Sequence, residues 1–561
     1  MLRTRFTVLP LASLILLGLS GAAGSTLGPE PSWVANYNVL GLGAAAGKAV
    51  AVDEQGNSYV TGYGFRRGAE LDFVTIKYGP DGRRLWQANF DGTTHHTDVP
   101  SAIALDGAGN VYVAGRTARA GGTDFDYVLL KYSPTGQLLW LKKRPGSPFV
   151  QSGDEFTPVH LAVDPAGNAY VSGYAPGGFR TTKYSTFGAE LWSDAFGADG
   201  APLPLSGFNQ IALTADGGLL AAGAIAFDLE GSELLVVRYS PTGERESFVR
   251  PSPDGAYVSA QALVAEPGGG FSVAGVERQS ASATADLLVA RFAANGTELW
   301  SHTYARDSQS EDVPAAIARD AEGNLIVTGS TQRTGQSGTA DVVTLKYDAD
   351  GTFQWLLGYD GPRSGEDRAR ALRLDENGSI YVAATVDGGE QLTQDYALLK
   401  VSAAGDLLSA ACYDGPAAAF DDVAGLAVDA QGNATLTGIS AQSGNPVTGY
   451  DYGIATVRYD SDATSTPALE ALGLAATQVR GKKSVQGLIR LNDEVKAKSV
   501  VQLQSSHPNV LPVPASGVIV KRERATALFT LRSKRVTEPT EVTITATFGG
   551  VSKEAVITVR P

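Results

Sequence analysis

Between about residue 33 and residue 460 the chain is built of short runs in which apolar and polar positions alternate, each closed by Gly, Asp, Asn or Pro. One stretch shows the order. "SAIALD" (Ser101–Asp106) is followed by "NVYVAG" (Asn110–Gly115), "DYVLLKYS" (Asp126–Ser133) and "QLLWLKK" (Gln137–Lys143). Alternation at period two over such lengths predicts half-buried strands. "GAGN", a Gly/Thr-rich loop and "SPTG" punctuate the junctions as turns. No stretch of useful length carries a helical period. The unit is four antiparallel strands.

The unit recurs. "DEQGNSYVTG" (Asp53–Gly62) returns as "DGAGNVYVAG" (Asp106–Gly115), "DPAGNAYVSG" (Asp164–Gly173) and "DAEGNLIVTG" (Asp320–Gly329). Aligned on the last residue of this motif, eight copies fall at Gly62, Gly115, Gly173, Gly223, Gly275, Gly329, Ala384 and Gly438, in steps of 50 to 58 residues. A single four-stranded sheet cannot bury both faces, whereas a ring of such sheets stacked face to face can. The expected fold is therefore all-β, a β-propeller.

The tryptophans fit the alignment. All six, Trp33, Trp86, Trp140, Trp192, Trp300 and Trp355, occupy one repeat position in the fourth strand, with Ser247 and Ser409 in that place elsewhere. An indole there would fill the space between neighbouring sheets. A basic residue and an aromatic end the third strand, as in Lys77-Tyr78, Lys131-Tyr132 and Arg458-Tyr459. Trp33 has no first three strands before it, and the last unit ends at "GIATVRYD" (Gly453–Asp460) without a fourth. The strand at Trp33 to Val39 is thus expected to complete the last blade, leaving no open edge. The count is eight blades.

The motif has a mechanical meaning. "GN" between short strands is a turn signal, since both residues tolerate positive φ. The leading acids Asp53, Asp106, Asp164, Asp320, Asp375 and Asp429 can accept hydrogen bonds from turn amides. They are expected to be structural, as are the six tryptophans.

At these residues the chain resembles the bacterial SBBP ("seven-bladed β-propeller") repeat family. The matching elements are D-x-x-G-N-x-Y-V-x-G, D-Y/F-V-x-x-K-Y and G-x-x-x-W, as at Asp53–Gly62, Asp72–Tyr78 and Gly82–Trp86. The resemblance covers roughly residues 33 to 460. It implies an exported propeller, of a family whose members mostly lack an assigned activity. Its name implies seven blades, and the count of eight departs from it.

Composition adds the compartment. Arg3 and Arg5 precede an apolar run, Val8–Leu19, and then small residues, Ser20 to Gly24. This is the pattern of a signal peptide, too short for a membrane span. Residues 1–24 are expected to be removed and the protein secreted, at the cell surface, in the periplasm or outside the cell, with no membrane span. The single cysteine, Cys412, permits no intrachain disulfide and no zinc cluster, and is expected to be a small buried hydrophobe. The formal net charge of −14 argues against nucleic acid as a partner.

Charge and pattern both change near the end. Residues 461–473, "SDATSTPALEALG", read as a linker after the propeller of residues 25–460. Residues 474–561 alternate as strands, cleanly in "EVTITATF" and "EAVITVR", less so in "SVQGLIRL" and "SVVQLQS". Their size suits an immunoglobulin-like β-sandwich. The pattern resembles a bacterial Ig-like module, which implies an adhesive or spacer role. From 471 to 561 there are 14 Lys/Arg against 6 Asp/Glu, while residues 25–470 carry a net −24. "KRER" (Lys521–Arg524) and Lys534-Arg535 could attach to an anionic surface or simply be solvated.

The candidate chemistry is thin. His95-His96 lies in a loop with Asp91 and Asp98, and His160, His302 and His507 stand alone. "YDADG" (Tyr347–Gly351) resembles a fragment of a calcium loop, but such a site needs six or more oxygens. Two acidic sets recur. Asp98, Asp312, Asp367 and Asp421 precede the motif, while Asp72, Asp126, Asp286, Asp341 and Asp395 precede the basic-aromatic pair. A catalytic pair is needed once, whereas loop caps are needed in every blade, so both sets read as structural. No metal, cofactor or catalytic residue is assigned. No G-x-S-x-G, phosphate loop or H-E-x-x-H occurs. The expected function is a non-enzymatic binding or scaffold protein of the envelope or extracellular space, its partner an unidentified protein or glycan. The alternative is a propeller enzyme, a hydrolase or lyase acting on polysaccharide. A quinoprotein dehydrogenase shares the "T-G-x-x-x-W" spacing of Thr135 to Trp140, but many of those enzymes carry a vicinal cysteine pair, which one cysteine cannot supply.

Overall fold

The computed structural model describes residues 29–38, 45–65, 70–122, 124–148, 159–175, 178–196, 207–228, 231–252, 256–280, 282–332, 339–363, 365–388, 394–445, 449–461, 469–491, 498–521, 524, 526–548 and 551–561. The expected signal peptide lies outside them. The regular secondary structure of the described residues is entirely β-strand. Two compact units divide the chain, the larger spanning Pro31–Asp460 and the smaller Ser461–Pro561.

In the larger unit the four predicted strands of each repeat pair antiparallel in chain order. The first sheet comprises Ala45–Val52, Ser58–Phe65, Leu71–Tyr78 and Arg84–Phe90. The same order follows within 98–148, 160–196, 207–250, 257–304, 312–359 and 368–413, a second to a seventh sheet, of which the fourth and fifth are joined by one bridge, Ser232 to Tyr257. The eighth sheet takes Asp421–Val428, Ala434–Asn445 and Gly449–Tyr459 from its own repeat. Its fourth strand is Trp33–Tyr37, with Trp33 opposite Arg458 and Tyr37 opposite Ile454.

Burial follows strand position. The middle strands are packed on both faces, and Val111–Ala118 is buried at every residue. Fourth strands such as Phe353–Tyr359 alternate between exposed and half-buried positions, as outer strands with one wet face must. The first strand of each sheet touches that of the next. The contacts run from Ala45–Val52 through Asp98–Leu105, His160–Val163, Gly207–Leu213, Tyr257–Ala265, Asp312–Arg319, Arg368–Leu374 and Asp421–Val428, and back to Ala45–Val52. At that last seam Ser58 Oγ lies 3.1 Å from Thr435 Oγ1, and Arg458 Nη1 donates to the Gly56 carbonyl at 2.9 Å.

The tryptophans join sheets as wedges. Each indole Nε1 donates to a carbonyl in the turn between third and fourth strands of the next sheet: Trp33 to Pro80, Trp86 to Pro134, Trp140 to Thr186, Trp192 to Pro241, Trp300 to Ala349 and Trp355 to Ala403, all at 2.9–3.2 Å. The ring covers the turn glycine. Gly136 has φ +84 and a Cβ there would meet Trp86 at 2.8 Å; Gly405 has φ +93 and would meet Trp355 at 2.6 Å. The glycine of G-x-x-x-W is therefore required twice over, by its left-handed φ and by the neighbouring sheet's indole. The six indoles are half-buried.

The two positions without tryptophan have separate causes. In the five sheets whose fourth strand follows its third along the chain and carries an indole, a register shift in the third strand precedes the aromatic, as between Lys131 and Tyr132. The fourth sheet has no such shift, so Glu246 instead of Ser247 opposes Arg238, and Phe248 becomes the wedge. A Cβ on Gly296 would meet the Phe248 ring at 2.1 Å. Ser409 precedes the eighth sheet, whose third and fourth strands come from opposite ends of the chain and share no turn to cover.

The recurring Asp is the hub of its hairpin. Asp53 Oδ1 accepts from the Asn57 amide at 2.8 Å, and Oδ2 from Asn57 Nδ2 at 2.8 Å and Tyr59 OH at 2.9 Å. Asp106, Asp164, Asp320 and Asp429 hold their asparagines in the same way, and Asp375 holds the Ser379 amide and Tyr381 OH. The basic residue ending the third strand then reaches back: Lys131 to Asp106 at 3.2 Å, Lys346 to Asp320 at 2.9 Å, Arg458 to Asp429 at 2.9 Å. In this way two repeated sequence elements, their partners 25 to 29 residues apart in these three pairs, form one buried cluster.

This cluster sets an acid limit on stability. Desolvation raises the Asp106 carboxyl, but hydrogen bonds from Asn110 and the charge of Lys131 outweigh it and hold it below the ordinary value. A depressed folded pKa gives stability that is present above the unfolded pKa of about 3.9 and is lost as pH falls through the folded value. Asp106→Asn is therefore expected to shrink the drop in unfolding temperature between about pH 6 and about pH 3. An unchanged drop in a thermal-unfolding series would count against the assignment.

The smaller unit packs two sheets over one core. Leu469–Leu474, Ser484–Leu491 and Thr526–Arg532 form one; Gln478–Arg480, Val551–Arg560, Thr540–Phe548, Ser499–Ser505 and Val518–Val520 form the other. Ile489, Leu503, Leu531, Val542, Ile544 and Ile557 meet between them. Two sequence expectations are corrected. The linker 461–473 ends inside a strand, because Leu469 is buried in this core. "SVQGLIRL" has the cleanest alternation of the unit, every second residue buried, since Val485, Gly487, Ile489 and Leu491 face inward while Leu488 faces out.

Candidate functional site

The two ends of the larger unit differ in kind. One end carries the repeated turns, D-x-x-G-N and the tryptophan-covered glycine turns. The other carries the connections between second and third strands and between sheets, which vary in length and sequence. A functional side chain is best sought where sequence is not copied.

At that loop end the two recurrent acidic sets converge. The third-strand acid, an Asp following the fourth strand and the Asp opening the next sheet form trios: Asp72, Asp91 and Asp98; Asp341, Asp360 and Asp367; Asp395, Asp414 and Asp421. Within each, one carboxylate oxygen per residue lies within 4.8 Å of the others. The sequence reading found the first and third members separately, named Asp91 only beside the histidine pair, and missed Asp360 and Asp414. The missed signal is D-G-x5-D, as in Asp414-Gly415 to Asp421. Its glycine amide donates to the last acid: Gly92 to Asp98 at 2.5 Å, Gly361 to Asp367, and Gly415 to Asp421 at 2.6 Å. A Cβ on Gly415 would strike Ser440 Oγ at 2.3 Å and Asp421 at 2.6 Å, so only glycine lets the turn close.

The surroundings of the trios differ. Arg306 Nη1 reaches Asp341 at 2.7 Å, and in the second sheet Arg119 Nε reaches Asp126 at 2.5 Å. Asp421 accepts from the Gly415 and Ala441 amides. Asp395 is 3% exposed, and its Oδ1 has no hydrogen-bond partner. Burial first, then the charges of Asp414, Asp421 and Asp387, push its carboxyl up to about 8. Burial likewise pushes Asp367 up to about 7 and Asp421 to about 6.

The other candidates are placed as follows. His95 is exposed with φ 55 and its Nδ1 lies 2.8 Å from Asp91, while His96 Nδ1 lies 3.4 Å from Glu70. His160 Nε2 meets the Phe208 carbonyl at 3.0 Å in the next sheet, and burial lowers its pKa. His302 Nε2 meets the Gly351 carbonyl at 2.7 Å, and its ring stacks on Tyr347. Asp348 of "YDADG" accepts from the amides of Asp350 and Thr352 within its own turn. Cys412 corrects the expectation of burial: it is exposed, because Ala411 and Tyr413 take the inward positions of that outer strand. At the turn end a cavity of about 640 Å³ lies among Leu105, Asp164, Leu213, Thr214 and Glu266. Glu266 there is already paired with Arg291 at 2.7 Å and Arg319 at 3.0 Å.

No protein-family model and no curated protein matches the chain. Solved structures similar to it include β-propellers. A protein from Lactobacillus plantarum is 17% identical, with 65% of this chain and 95% of that one covered and a TM-score of 0.39. The WD40 domain of SCAP from fission yeast is 11% identical over 77% and 99%, with a TM-score of 0.40. The β-propeller domain of the Trilobed protease from Pyrococcus furiosus is 7% identical over 64% and 94%, with a TM-score of 0.39.

Proposed function

We propose that the chain is an exported binding or scaffold protein: an eight-bladed β-propeller closed by its N-terminal strand, followed by an Ig-like sandwich that spaces or attaches it. The observation that carries this reading is the division of labour between the ends. One end is fixed by copied turns and indole wedges, and the other gathers connections that differ from sheet to sheet, which is how a rigid ring presents a variable surface. Among the described residues, acidic side chains converge in trios at three junctions, as suits a framework. The trios recur from junction to junction and bridge adjacent sheets, whereas a catalytic pair is needed once, which favours the binding reading over a hydrolase. The ligand class it suits is a protein or glycan of the cell envelope.

Attachment falls to the basic tail. Lys521, Arg524, Lys534 and Arg535 are all exposed. Reversing these four to Glu is expected to reduce retention on anionic envelope polysaccharide severalfold at low salt, and added salt should erase the difference. Retention is measured by co-sedimentation of the full mature chain. Equal retention of parent and variant at low salt would remove the attachment role.

A further inference from the structure

We propose that Asp395, Asp414 and Asp421 form a binding site for a calcium-type divalent cation that ties the seventh sheet to the eighth. The three come from three places: Asp395 from the third strand Gln394–Val401, Asp414 from just beyond the fourth strand Leu407–Tyr413, and Asp421 from the start of the next sheet. Their oxygens lie within 4.8 Å of one another. A calcium ion holds carboxylate oxygens at about 2.3–2.6 Å, so two ligands across it stand at most about 5 Å apart. The spacing accommodates the ion without moving the chain.

A cluster of acids could be no more than that. The separate observation is Asp395 itself. It is 3% exposed, its Oδ1 has no hydrogen-bond partner, and its nearest charged groups are the carboxylates of Asp414, Asp421 and Asp387. A buried carboxylate left unpaired among like charges is costly, and a cation removes that cost. The sister trio supports the same need. There the third-strand acid Asp341 is met by the guanidinium of Arg306 at 2.7 Å. In the seventh sheet the place of Arg306, six residues before the opening acid, is held by Gly361, which has no side chain to reach Asp395 and whose amide is spent on Asp367.

The donor set selects the metal class. Three carboxylates, with neither a thiolate nor an imidazole in the trio, suit a hard cation and not zinc or copper. Asp414 is the exposed member, which leaves a path for the ion and room for water ligands. The cation would cross-link two adjacent sheets at the loop end and stiffen the surface there, whatever that surface binds.

The test uses the mature full-length chain, stripped with chelator and dialysed against calcium. Bound metal is counted by elemental analysis and affinity by calorimetry. Asp414→Asn is the informative variant, since an exposed side chain is removed and folding is not at stake. It is expected to lose one bound calcium per chain and to weaken calcium binding at that junction at least about tenfold. Its unfolding temperature without calcium is expected to match or exceed that of the stripped parent, because a like charge is gone. Terbium substituted for calcium should emit on tyrosine excitation in the parent, with the nearby Tyr396 as donor, and less in the variant. Calcium stoichiometry that is equal in parent and variant, or an unfolding temperature of the stripped parent that millimolar calcium leaves unmoved, overturns the proposal. Loss of polysaccharide retention with calcium binding intact would bear on the attachment role alone.

Discussion

Deleting residues 31–38 is expected to turn the protein into an aggregating species. The strand Trp33–Tyr37 supplies five paired positions to the eighth sheet, from Trp33 opposite Arg458 to Tyr37 opposite Ile454. Without it, the row of amides and carbonyls on Gly449–Tyr459 becomes an open edge. Val457 and Ile454, both 0% exposed, lose cover, as does Tyr78 of the first sheet, on which Trp33 packs at 5.8 Å between ring centroids. Net hydrogen bonds of roughly 1 kcal/mol each and two aromatic side chains of roughly 2 kcal/mol each put the loss at several kcal/mol, a large share of a domain's stability. A synthetic peptide of residues 29–38 added in trans should restore part of it, by strand complementation. Size-exclusion chromatography and denaturant unfolding read both effects. A deleted chain that keeps the parent's elution volume and unfolding midpoint would show that nothing is closed by this strand.

Asp429→Ala is expected to cost about 3–5 kcal/mol, the largest effect of any single exchange among the hairpin acids, because it strands a buried charge. The Asp429 side chain is 0% exposed and that of Arg458 4% exposed, at 2.9 Å from each other. Arg458 also donates to the carbonyl of Gly56 in the first sheet and to Asp460, so its displacement would reach across the seam. Adding Arg458→Met should recover most of the loss, since the unpaired charge then leaves with its partner. The exposed pair Arg490–Glu470, 58% and 39% exposed, is the control, and its removal is expected to leave the unfolding midpoint close to the parent's, because solvent screens the pair. Chemical denaturation of the four chains checks the set; a loss at Asp429 no larger than at Glu470 would deny the hub its role.

What the sequence made legible was whatever repeats. The strand alternation, the turn glycines and the Trp33 overhang each follow from local patterns copied along the chain, and the structure pairs Trp33–Tyr37 with the last repeat as the overhang implies. What it hid was anything set by register or by a neighbouring sheet. The missing shift in the fourth sheet moves the wedge from Ser247 to Phe248, one residue away, and no composition rule records a bulge. Cys412 is turned outward by strand parity, which a nonpolar neighbourhood of alanines conceals. The acidic trios were half visible. Two members repeat at fixed offsets from their motifs; the third, the Asp of D-G-x5-D, stands outside the strand motifs and joins them only through the contact between sheets.

Closure of the ring is tested most directly by hydrogen exchange of the intact mature chain, followed by mass spectrometry of peptides covering Trp33–Tyr37, Ala45–Val52 and Gly449–Tyr459. The account expects all three to be protected to the level of central strands such as Val111–Ala118 and to open together as denaturant is raised. Exchange of Trp33–Tyr37 at the rate of an unstructured peptide, with Gly449–Tyr459 still protected, would contradict it.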